Sequence, residues 1–326
     1  MFSEGEDGLD AATARELRDV VREAVVVAAV PNLSDYFPAL AAADLLGVRR
    51  RIEKLVGWMY GLIDRPIEGR RRPRAAGEPR KGDLLDAALD MEGGDVDGDE
   101  EGWVMNQETL RGMFMDLLVA GSGSTTSTVE WAMAELLLNP RCMHKVQEEL
   151  RGVLGTRTHV AESDIDRLPY LQAVVKETLR LHPTVPIGLN KAEAIVEIQG
   201  YRIPKGTTVY VNIWDICRRA KTWADDDPER FMPERFVGCG DDKEEDRMIG
   251  FLGTNFELIP FGARRRICLG MPLAERMLHL MLASLLHRFD WAPLPGQDGF
   301  GINMEEQFGL VLSMATPLRA VAKQVL

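Results

Sequence analysis

The chain has 326 residues, of which 45% are hydrophobic and 28% charged, as in an ordinary globular protein. Its net charge of −12 disfavours non-specific binding, so no nucleic-acid partner is expected. Its four cysteines (Cys142, Cys217, Cys239 and Cys268) form no CxxC pair, which indicates free thiols or one thiolate ligand in a reducing compartment. The acidic N-terminus is unlike a signal peptide, and no apolar stretch reaches the roughly 18–20 residues of a membrane span.

The first hundred residues are predicted to be helical, with one irregular stretch. Apolar residues recur at helical spacing over about 13–72. A short helix is expected at 84–89, inside a Gly-rich and acidic stretch at about 77–102 that we interpret as a flexible linker. The alternating aspartates of this linker suggest a calcium loop. That interpretation fails because the glycine is misplaced and no Glu closes the loop.

A long helix is predicted next, over about 106–139. Asn106 can cap it, and Pro140 ends it. Its middle, residues 120–126, contains two glycines and four hydroxyl residues, which are poor helix formers. This composition predicts a local distortion or the close approach of something bulky, and close packing against a neighbouring helix is the alternative.

The second half of the chain changes from helical to strand patterns and back. Helices are predicted at 142–154, 170–181 and 271–289. Between the last two, alternating segments broken by Gly and Pro predict a small antiparallel sheet, and an irregular stretch follows at 214–266. The segments predicted as strands are 195–198, 200–203, 207–211 and the tail at 308–321. This order predicts a mainly α fold with small antiparallel β-sheets.

One cysteine occupies an unusual place. Residues 260–270 stand directly before the apolar helix at 271–289 and include Cys268. A lone cysteine is most often a small buried hydrophobe. Here three arginines precede it and a helix N-terminus follows, and both features stabilise a thiolate. Arg266 can pair with a carboxylate of a cofactor, and Phe261 can screen the sulfur from water. The alternative for the arginines is a solvated or partner-docking face.

This segment resembles the cysteine-ligand loop of cytochrome P-450, the family of haem-thiolate monooxygenases. The family pattern is Phe-x-x-Gly-x-Arg-x-Cys-x-Gly. Phe261, Arg266, Cys268 and Gly270 match it, whereas Arg264 stands where the pattern has Gly. Glycine in such loops commonly supplies a positive φ. A side chain there costs roughly 1–2 kcal/mol if the same backbone is kept.

Two further motifs support the resemblance. Glu177 and Arg180 match the Glu-x-x-Arg pair of the family, whose spacing puts both side chains on one helix face. The same spacing recurs elsewhere in the chain, but this pair lies on an apolar helix ahead of the predicted sheet. Residues 233–236 match the Pro-Glu-Arg-Phe motif. The resemblance implies that Arg235 joins Glu177 and Arg180 in a buried charge triad, and a surface salt bridge is the alternative for any one of them.

The predicted long helix resembles the oxygen-activation helix of the family. Ala120 and Gly121 would make room for haem and dioxygen. Gly123 replaces the usual acid and Ser124 the usual threonine, followed by Thr125. Ser124 offers a hydroxyl that can donate a hydrogen bond to dioxygen. Because the relay carboxylate is absent, proton delivery is expected through water or substrate, with slower or less coupled turnover.

The resemblance implies an N-terminally truncated cytochrome P-450 fold, in which residues 1–326 form one partial domain. It implies heme b (iron protoporphyrin IX), with Cys268 as the iron ligand, and electrons from NADPH through a cytochrome reductase. Several segments resemble plant microsomal members of the geraniol 8-hydroxylase-like group. The expected substrate is therefore a small lipophilic terpenoid, alkaloid or phenolic, hydroxylated with dioxygen and resting against Ala120, Gly121 and residues 185–189. The cofactor-binding residues implied are Phe261, Gly262, Arg266, Cys268 and Gly270.

For the intact parent, the resemblance implies the cytosolic face of the endoplasmic reticulum membrane. Membrane contact would depend on an N-terminal anchor that this chain is expected to lack, so the chain itself would be cytoplasmic or peripheral. Two alternatives remain: an inactive remnant without haem, and a haem-binding protein without turnover. A serine-hydrolase interpretation of residues 121–124 fails, because the nucleophile elbow lacks its closing Gly and no strand precedes it.

Overall fold

The computed structural model describes residues 10–92, 105–223, 227–237, 251, 256–294 and 301–325. Residues 93–102 of the predicted acidic stretch, and Cys239, lie outside the described residues. The chain divides into two compact units, Met1–Gly123 and Ser124–Leu326. The single partial domain over residues 1–326 stays a prediction.

The first unit is helical, as predicted. Its long helices are separated by a short helix and a 3₁₀ turn at Pro38–Ala43. Its α-helices are α1 (Ala11–Ala29), α2 (Leu33–Tyr36), α3 (Val48–Ala75), α4 (Leu84–Asp90) and the first half of α5 (Gln107–Leu138). The helix predicted at 84–89 is confirmed as α4. Asn106 caps α5, because its side-chain oxygen accepts a hydrogen bond from the backbone N–H of Thr109 at 2.9 Å.

A charge network fastens α4 to α3 beside a small apolar core. Buried residues of α3, α4 and α5, including Ile67, Leu85 and Phe114, form that core. The buried guanidinium of Arg70 donates two 3.0 Å hydrogen bonds to the carboxylate of Asp83, which also caps α4. Paired bonds of this kind fix geometry as well as supplying energy. The segment joining the two helices is therefore held by charge where it offers few apolar side chains.

In the part of the second unit that the structure describes, there are further helices and four small sheets. Its helices after α5 are α6 (Pro140–Leu154), α7 (Pro169–Leu181), α8 (Ile213–Arg218) and α9 (Met271–Arg288), with 3₁₀ turns at Glu162–Arg167, Pro233–Phe236 and Arg264–Arg266. Its strands are β1 (Ile187–Lys191), β2 (Val196–Ile198), β3 (Tyr201–Ile203), β4 (Thr208–Asn212), β5 (Phe289–Pro293), β6 (Glu306–Gln307), β7 (Ser313–Met314) and β8 (Ala320–Gln324). The mainly α fold with small antiparallel sheets is confirmed.

Each sheet among the described residues has two antiparallel strands. The pairs are β1 with β4, β2 with β3, β5 with β8, and β6 with β7. In the first pair Gly188 faces Val211, and in the third Trp291 faces Ala322. The strand predicted over 308–321 is therefore wrong in extent, since only β7 and the start of β8 fall inside it. Strand β1 was not predicted, because Pro186 and Gly188 interrupt its short pattern.

The core of the second unit is built around α7. Buried apolar residues of α5, α6, α7 and α9 pack in one cluster, including Leu136, Leu150, Val174 and Leu282. The N-terminus of α7 is capped by Glu149, whose carboxylate accepts hydrogen bonds from the backbone N–H groups of Tyr170 and Leu171. This cap fixes where α7 begins. Among the described residues, no helix combines the length and apolar character that crossing a bilayer requires.

One buried histidine of the second unit, His279, leads us to expect that stability depends on pH. His279 lies on α9, where its Nδ1 lies 2.6 Å from the carbonyl oxygen of Glu275 and its Nε2 has no partner among the described residues. Burial lowers the pKa of the His279 imidazole below its usual 6.5, more than the nearby Glu275 raises it. The folded chain therefore favours the neutral form of the His279 imidazole.

We expect the free energy of unfolding to be highest above pH 6.5 and to fall as the pH drops from 6.5 toward the lowered pKa. In this window the unfolded chain binds the proton more readily than the folded chain. Urea denaturation at several pH values measures the slope. His279→Leu is expected to flatten it, whereas His144→Gln, which removes an exposed histidine on α6, is expected to retain it. An equal slope in wild type and His279→Leu would contradict the prediction.

Candidate functional site

The segment 260–270 closes on itself through its own backbone. The N–H of Cys268 donates to the carbonyl oxygen of Phe261 at 2.9 Å, and the N–H of Ile267 donates to that of Arg264 at 3.1 Å. The N–H of Met271, at the start of α9, donates to the carbonyl oxygen of Cys268 at 3.2 Å. A compact loop therefore places Cys268 immediately before the N-terminus of α9. This loop is called the cysteine loop below.

The thiol of Cys268 faces outward, unlike those of the other described cysteines. Cys142 and Cys217 are buried, whereas Cys268 is exposed. Leu269 beside it is 97% exposed, and Arg266 is also exposed. A Cβ added at Gly270 would lie 3.8 Å from the Cys268 sulfur, so glycine leaves that side of the sulfur open. The loop thus places an accessible sulfur directly before a helix N-terminus.

The backbone expected for a glycine is kept at Arg264. Its φ is +60°, in the left-handed region that L-residues rarely adopt. Gly262 has a φ of +73°, and a Cβ added there would lie 3.4 Å from the carbonyl oxygen of Arg266. The cysteine loop therefore retains a conformation that suits two glycines, although one position holds arginine. The strain at Arg264 is roughly 1–2 kcal/mol.

Phe261 anchors the cysteine loop to the core of the second unit. It is half-buried and packs against the core cluster, with its ring in edge contact with that of Phe251 at a centroid distance of 5.2 Å. Such edge-to-face contacts are a favoured arrangement of aromatic rings. The aromatic side chain that was expected to screen the sulfur is therefore fixed in place on one side.

The structure brings the predicted charge triad together. Glu177 and Arg180 are completely buried, and Arg180 donates two hydrogen bonds, of 2.7 and 2.9 Å, to the Glu177 carboxylate. The Nε of Arg235 lies 3.5 Å from Glu177 Oε1, an ion pair without hydrogen-bond geometry. The backbone N–H of Met232 donates to the same oxygen at 2.8 Å. One carboxylate thus neutralises one arginine directly and attracts a second.

Arg180 also holds the chain that surrounds it. Its guanidinium donates to the carbonyl oxygens of Cys217 at 3.1 Å, Pro228 at 2.8 Å and Arg230 at 3.4 Å. Burial raises the pKa of the Cys217 thiol more than the backbone N–H of Ile259, directly before the cysteine loop, lowers it. Arg180 therefore binds the backbone of a residue whose buried side chain lies near the base of the cysteine loop.

The candidate residues of α5 fall on both sides of the division between the units. Ala120 and Gly121 belong to the first unit and are exposed, whereas Ser124 and Thr125 belong to the second and are half-buried. The helix is unbroken through 120–126, so the predicted distortion is not seen in its hydrogen bonding. Apart from the adjacent residues and the nearby backbone of α5 itself, no described atom lies within 4 Å of a Cβ built at Gly121, so close helix packing does not explain that glycine.

Sequence reasoning missed two buried hydroxyls on α5. Ser127 donates to the carbonyl oxygen of Leu312 at 2.8 Å, and Thr128 Oγ1 lies 3.1 Å from the hydroxyl of Thr184. They continue the hydroxyl run that begins at Ser124, so composition offered a signal. Their partners are 185 and 56 residues away along the chain, and no local pattern indicates them.

Comparison with known proteins decides the family. A family model described as Cytochrome P450 matches residues 1–318. The chain belongs to the cytochrome P450 family. Its curated relatives include cytochrome P450 76T24 of Catharanthus roseus (42% identical over 95% of this chain and 59% of that protein) and geraniol 8-hydroxylase of the same plant (44%, 95% and 59%). Carnosic acid synthase of Rosmarinus officinalis is 44% identical over 91% of this chain and 56% of that protein. The chain thus spans under two thirds of the length of these P450 relatives.

Restoring glycine at the strained position is expected to stabilise the cysteine loop. Arg264→Gly removes a side chain at positive φ, whereas the neighbouring Arg265→Gly adds glycine where φ is not positive. Each change also removes one surface contact, with Phe256 and Glu193 respectively. We expect the Arg264 variant to be more stable than the Arg265 variant by about 1–2 kcal/mol in urea denaturation. Equal stabilities would show that Arg264 is unstrained.

Removing the charge of Glu177 is expected to leave Arg180 buried without a counterion. Glu177→Gln should lower the free energy of unfolding by about 3–5 kcal/mol, measured by urea denaturation. The matched control is Glu148→Gln, since Glu148 and Arg151 share the same spacing but are exposed. That control should change stability by less than about 0.5 kcal/mol. Similar losses in both variants would argue against a structural role of the buried pair.

Proposed function

We propose that this chain carries the haem-thiolate centre of a plant monooxygenase that hydroxylates a small lipophilic metabolite, a terpenoid in the first instance. The observation that carries the proposal is the exposed thiol of Cys268, held by the closed cysteine loop at the N-terminus of α9. Among the P450 relatives, the names geraniol 8-hydroxylase and carnosic acid synthase point to terpenoids. Alkaloids and phenolics are the other substrate classes that the resemblance implies.

The residues of the cysteine loop fit heme b. Cys268 offers an accessible sulfur, the ligand type that haem-thiolate proteins use. Gly270 leaves space beside the sulfur, since an added Cβ would lie 3.8 Å from it, and Gly262 lets the loop turn at a φ of +73°. Arg266, exposed near the sulfur in sequence, supplies a cation for a propionate. When bound, heme b supplies the redox iron at which dioxygen is reduced with electrons that NADPH provides through a reductase.

The protein side chains have separate tasks in this proposal. Cys268, at the N-terminus of α9, would hold the haem iron through its sulfur and supply electron density to it. Phe261 excludes water from one side of the sulfur. Ser124 and Thr125 place hydroxyl groups on the oxygen-activation helix that hold water and pass protons toward dioxygen. Because Gly123 offers no carboxylate, the proton comes from that water or from the substrate.

Ala120 and Gly121 are exposed on the same helix, and the resemblance implies that their small size makes room for haem and substrate. The exposed arginines of the cysteine loop, Arg264, Arg265 and Arg266, provide a cationic surface for a reductase. We place the whole enzyme on the cytosolic face of the endoplasmic reticulum membrane, as the resemblance to plant microsomal members implies.

The carbon monoxide difference spectrum of the reduced chain, after haem is supplied, tests the thiolate ligand. We expect a strongly red-shifted Soret band that Cys268→Ala abolishes, because only an anionic sulfur produces that shift. Cys142→Ala removes a buried thiol elsewhere and should retain the band. Hydroxylation of geraniol in the presence of a reductase and NADPH then tests turnover.

A second candidate function is a non-catalytic remnant, which the strain at Arg264 and the absence of an acid at Gly123 favour. Absent haem uptake, or a Soret band typical of a neutral ligand, would support that candidate and contradict the monooxygenase proposal. A red-shifted band without product would leave a haem-binding protein that does not turn over.

A further inference from the structure

One face of the second half of α5 carries a buried polar stripe: Ser127, Thr128, Trp131 and Glu135. Ser127, Trp131 and Glu135 recur every four residues, and Thr128 lies three residues before Trp131, so the four side chains share one broad helix face. Each contacts a residue in one of two segments that lie far away in sequence, as described next. A buried polar row of this kind fixes a specific arrangement, because a lost partner leaves a buried group unsatisfied.

The C-terminal part of the stripe, Trp131 and Glu135, contacts His182, which lies at the C-terminus of α7. Its Nε2 lies 2.8 Å from Glu135 Oε1, and its ring stacks on that of Trp131 with centroids 4.0 Å apart and planes 2° apart. All three residues are buried. His182 is thus held both by a hydrogen bond and by an aromatic face, so the chain leaves α7 in a fixed direction.

The N-terminal part of the stripe contacts Thr184 through a hydrogen bond between two hydroxyl groups, and its donor can be assigned. Thr128 Oγ1 lies 3.0 Å from the carbonyl oxygen of Ser124, to which it donates, and 3.1 Å from Thr184 Oγ1. A hydroxyl has one proton, so Thr184 is the donor in the second bond. Thr128 therefore connects the backbone at Ser124, on the oxygen-activation helix, to the segment that follows α7.

A second segment, at Leu312, is hydrogen-bonded to the same part of α5 and to Thr184. Ser127 donates to the carbonyl oxygen of Leu312, and the N–H of Leu312 donates to the carbonyl oxygen of Thr184, both at 2.8 Å. Residues 184 and 312 are thus bound to the helix and to each other. A shift of either segment would break at least two buried hydrogen bonds.

Exposed apolar side chains lie close in sequence to both Thr184 and Leu312. Val185, Ile187 and Leu189 follow Thr184, and Phe308 and Leu310 precede Leu312. Leu189 and Phe308 are each 67% exposed. Soluble proteins keep contiguous apolar surface small unless it binds something. The two segments, residues 184–189 and 308–313, are called the paired apolar segments below. Their exposed apolar side chains suit the lipophilic substrate of the proposed function.

We propose that Thr128 and Ser127 are positioning residues, which set the place of the paired apolar segments relative to Ser124 and thereby orient a lipophilic substrate. This inference rests on the proposed function and deepens it. The two hydroxyls touch neither substrate nor cofactor, and they act through Thr184 and Leu312. The competing explanation is that they only stabilise the helix, as Thr178 does by bonding within α7.

Hydrogen–deuterium exchange of the full chain tests the attachment without haem. Thr128→Val is expected to speed amide exchange in residues 184–189 and 308–313 by about three- to tenfold, since one buried hydrogen-bond link is lost. Thr128→Ser keeps the hydroxyl and should exchange like wild type. Thr178→Val removes a buried hydroxyl that bonds only within its own helix and should leave both segments unchanged. Unchanged exchange in Thr128→Val, or equal acceleration in Thr128→Ser, would overturn the proposal.

The same experiment with geraniol as the probe tests the link to substrate. Geraniol should slow exchange in both segments of wild type and of Thr128→Ser, and it should slow exchange at least threefold less in Thr128→Val. Absent protection in wild type, or equal protection in Thr128→Val, would overturn the orienting role. The carbon monoxide spectrum reports on the thiolate separately. A lost Soret band with intact geraniol protection would sink the monooxygenase proposal alone, and the reverse would sink the positioning proposal alone.

Discussion

The buried ion pair of Glu177 and Arg180 is the constraint on which the rest of the second unit depends. Both charges are fully removed from water, which is unfavourable unless each is neutralised and hydrogen-bonded. Glu177 satisfies this through Arg180, Arg235 and a backbone N–H, and Arg180 through three carbonyl oxygens. Among the described residues after α8, these two charges hold residues 228–232, because Arg180 binds the carbonyl oxygens of Pro228 and Arg230 and Glu177 accepts from the backbone N–H of Met232.

The cysteine loop shows the opposite balance, in which local backbone geometry dominates. Its closure depends on short-range hydrogen bonds and on two residues at positive φ, one of which is Arg264. The loop thus keeps the backbone conformation expected for glycine although Arg264, an unfavourable residue there, occupies the position. The surroundings impose that conformation: Phe261 is fixed in the core, and α9 begins at Met271. Strain of this size is small beside the packing that determines the ends of the loop.

Features set by short-range chemistry were predictable from the sequence. The helices α4, α5, α6, α7 and α9 follow from periodicity and caps, and the strain at Arg264 follows from the motif position. Strand β1 was missed because Gly188 and Pro186 disrupt its pattern, and pairing with β4 forms it. The short helix α8 was missed because it starts from an Asn212 cap with too few residues for a period. The Thr128–Thr184 contact was unpredictable, since only the fold brings these residues together.

The way Arg180 holds its surroundings also determines which positions are free to vary. The guanidinium contacts the main-chain oxygens of residues 217, 228 and 230, which every amino acid possesses. A substitution at any of these three sites leaves the contact intact as long as the backbone follows the same path. Only Glu177 and Arg180 on α7 need particular side chains for this contact. The side chains of residues 217, 228 and 230 can differ without affecting it. A P450 built this way can change the side chains around Arg180 without rebuilding the buried ion pair that holds their backbone.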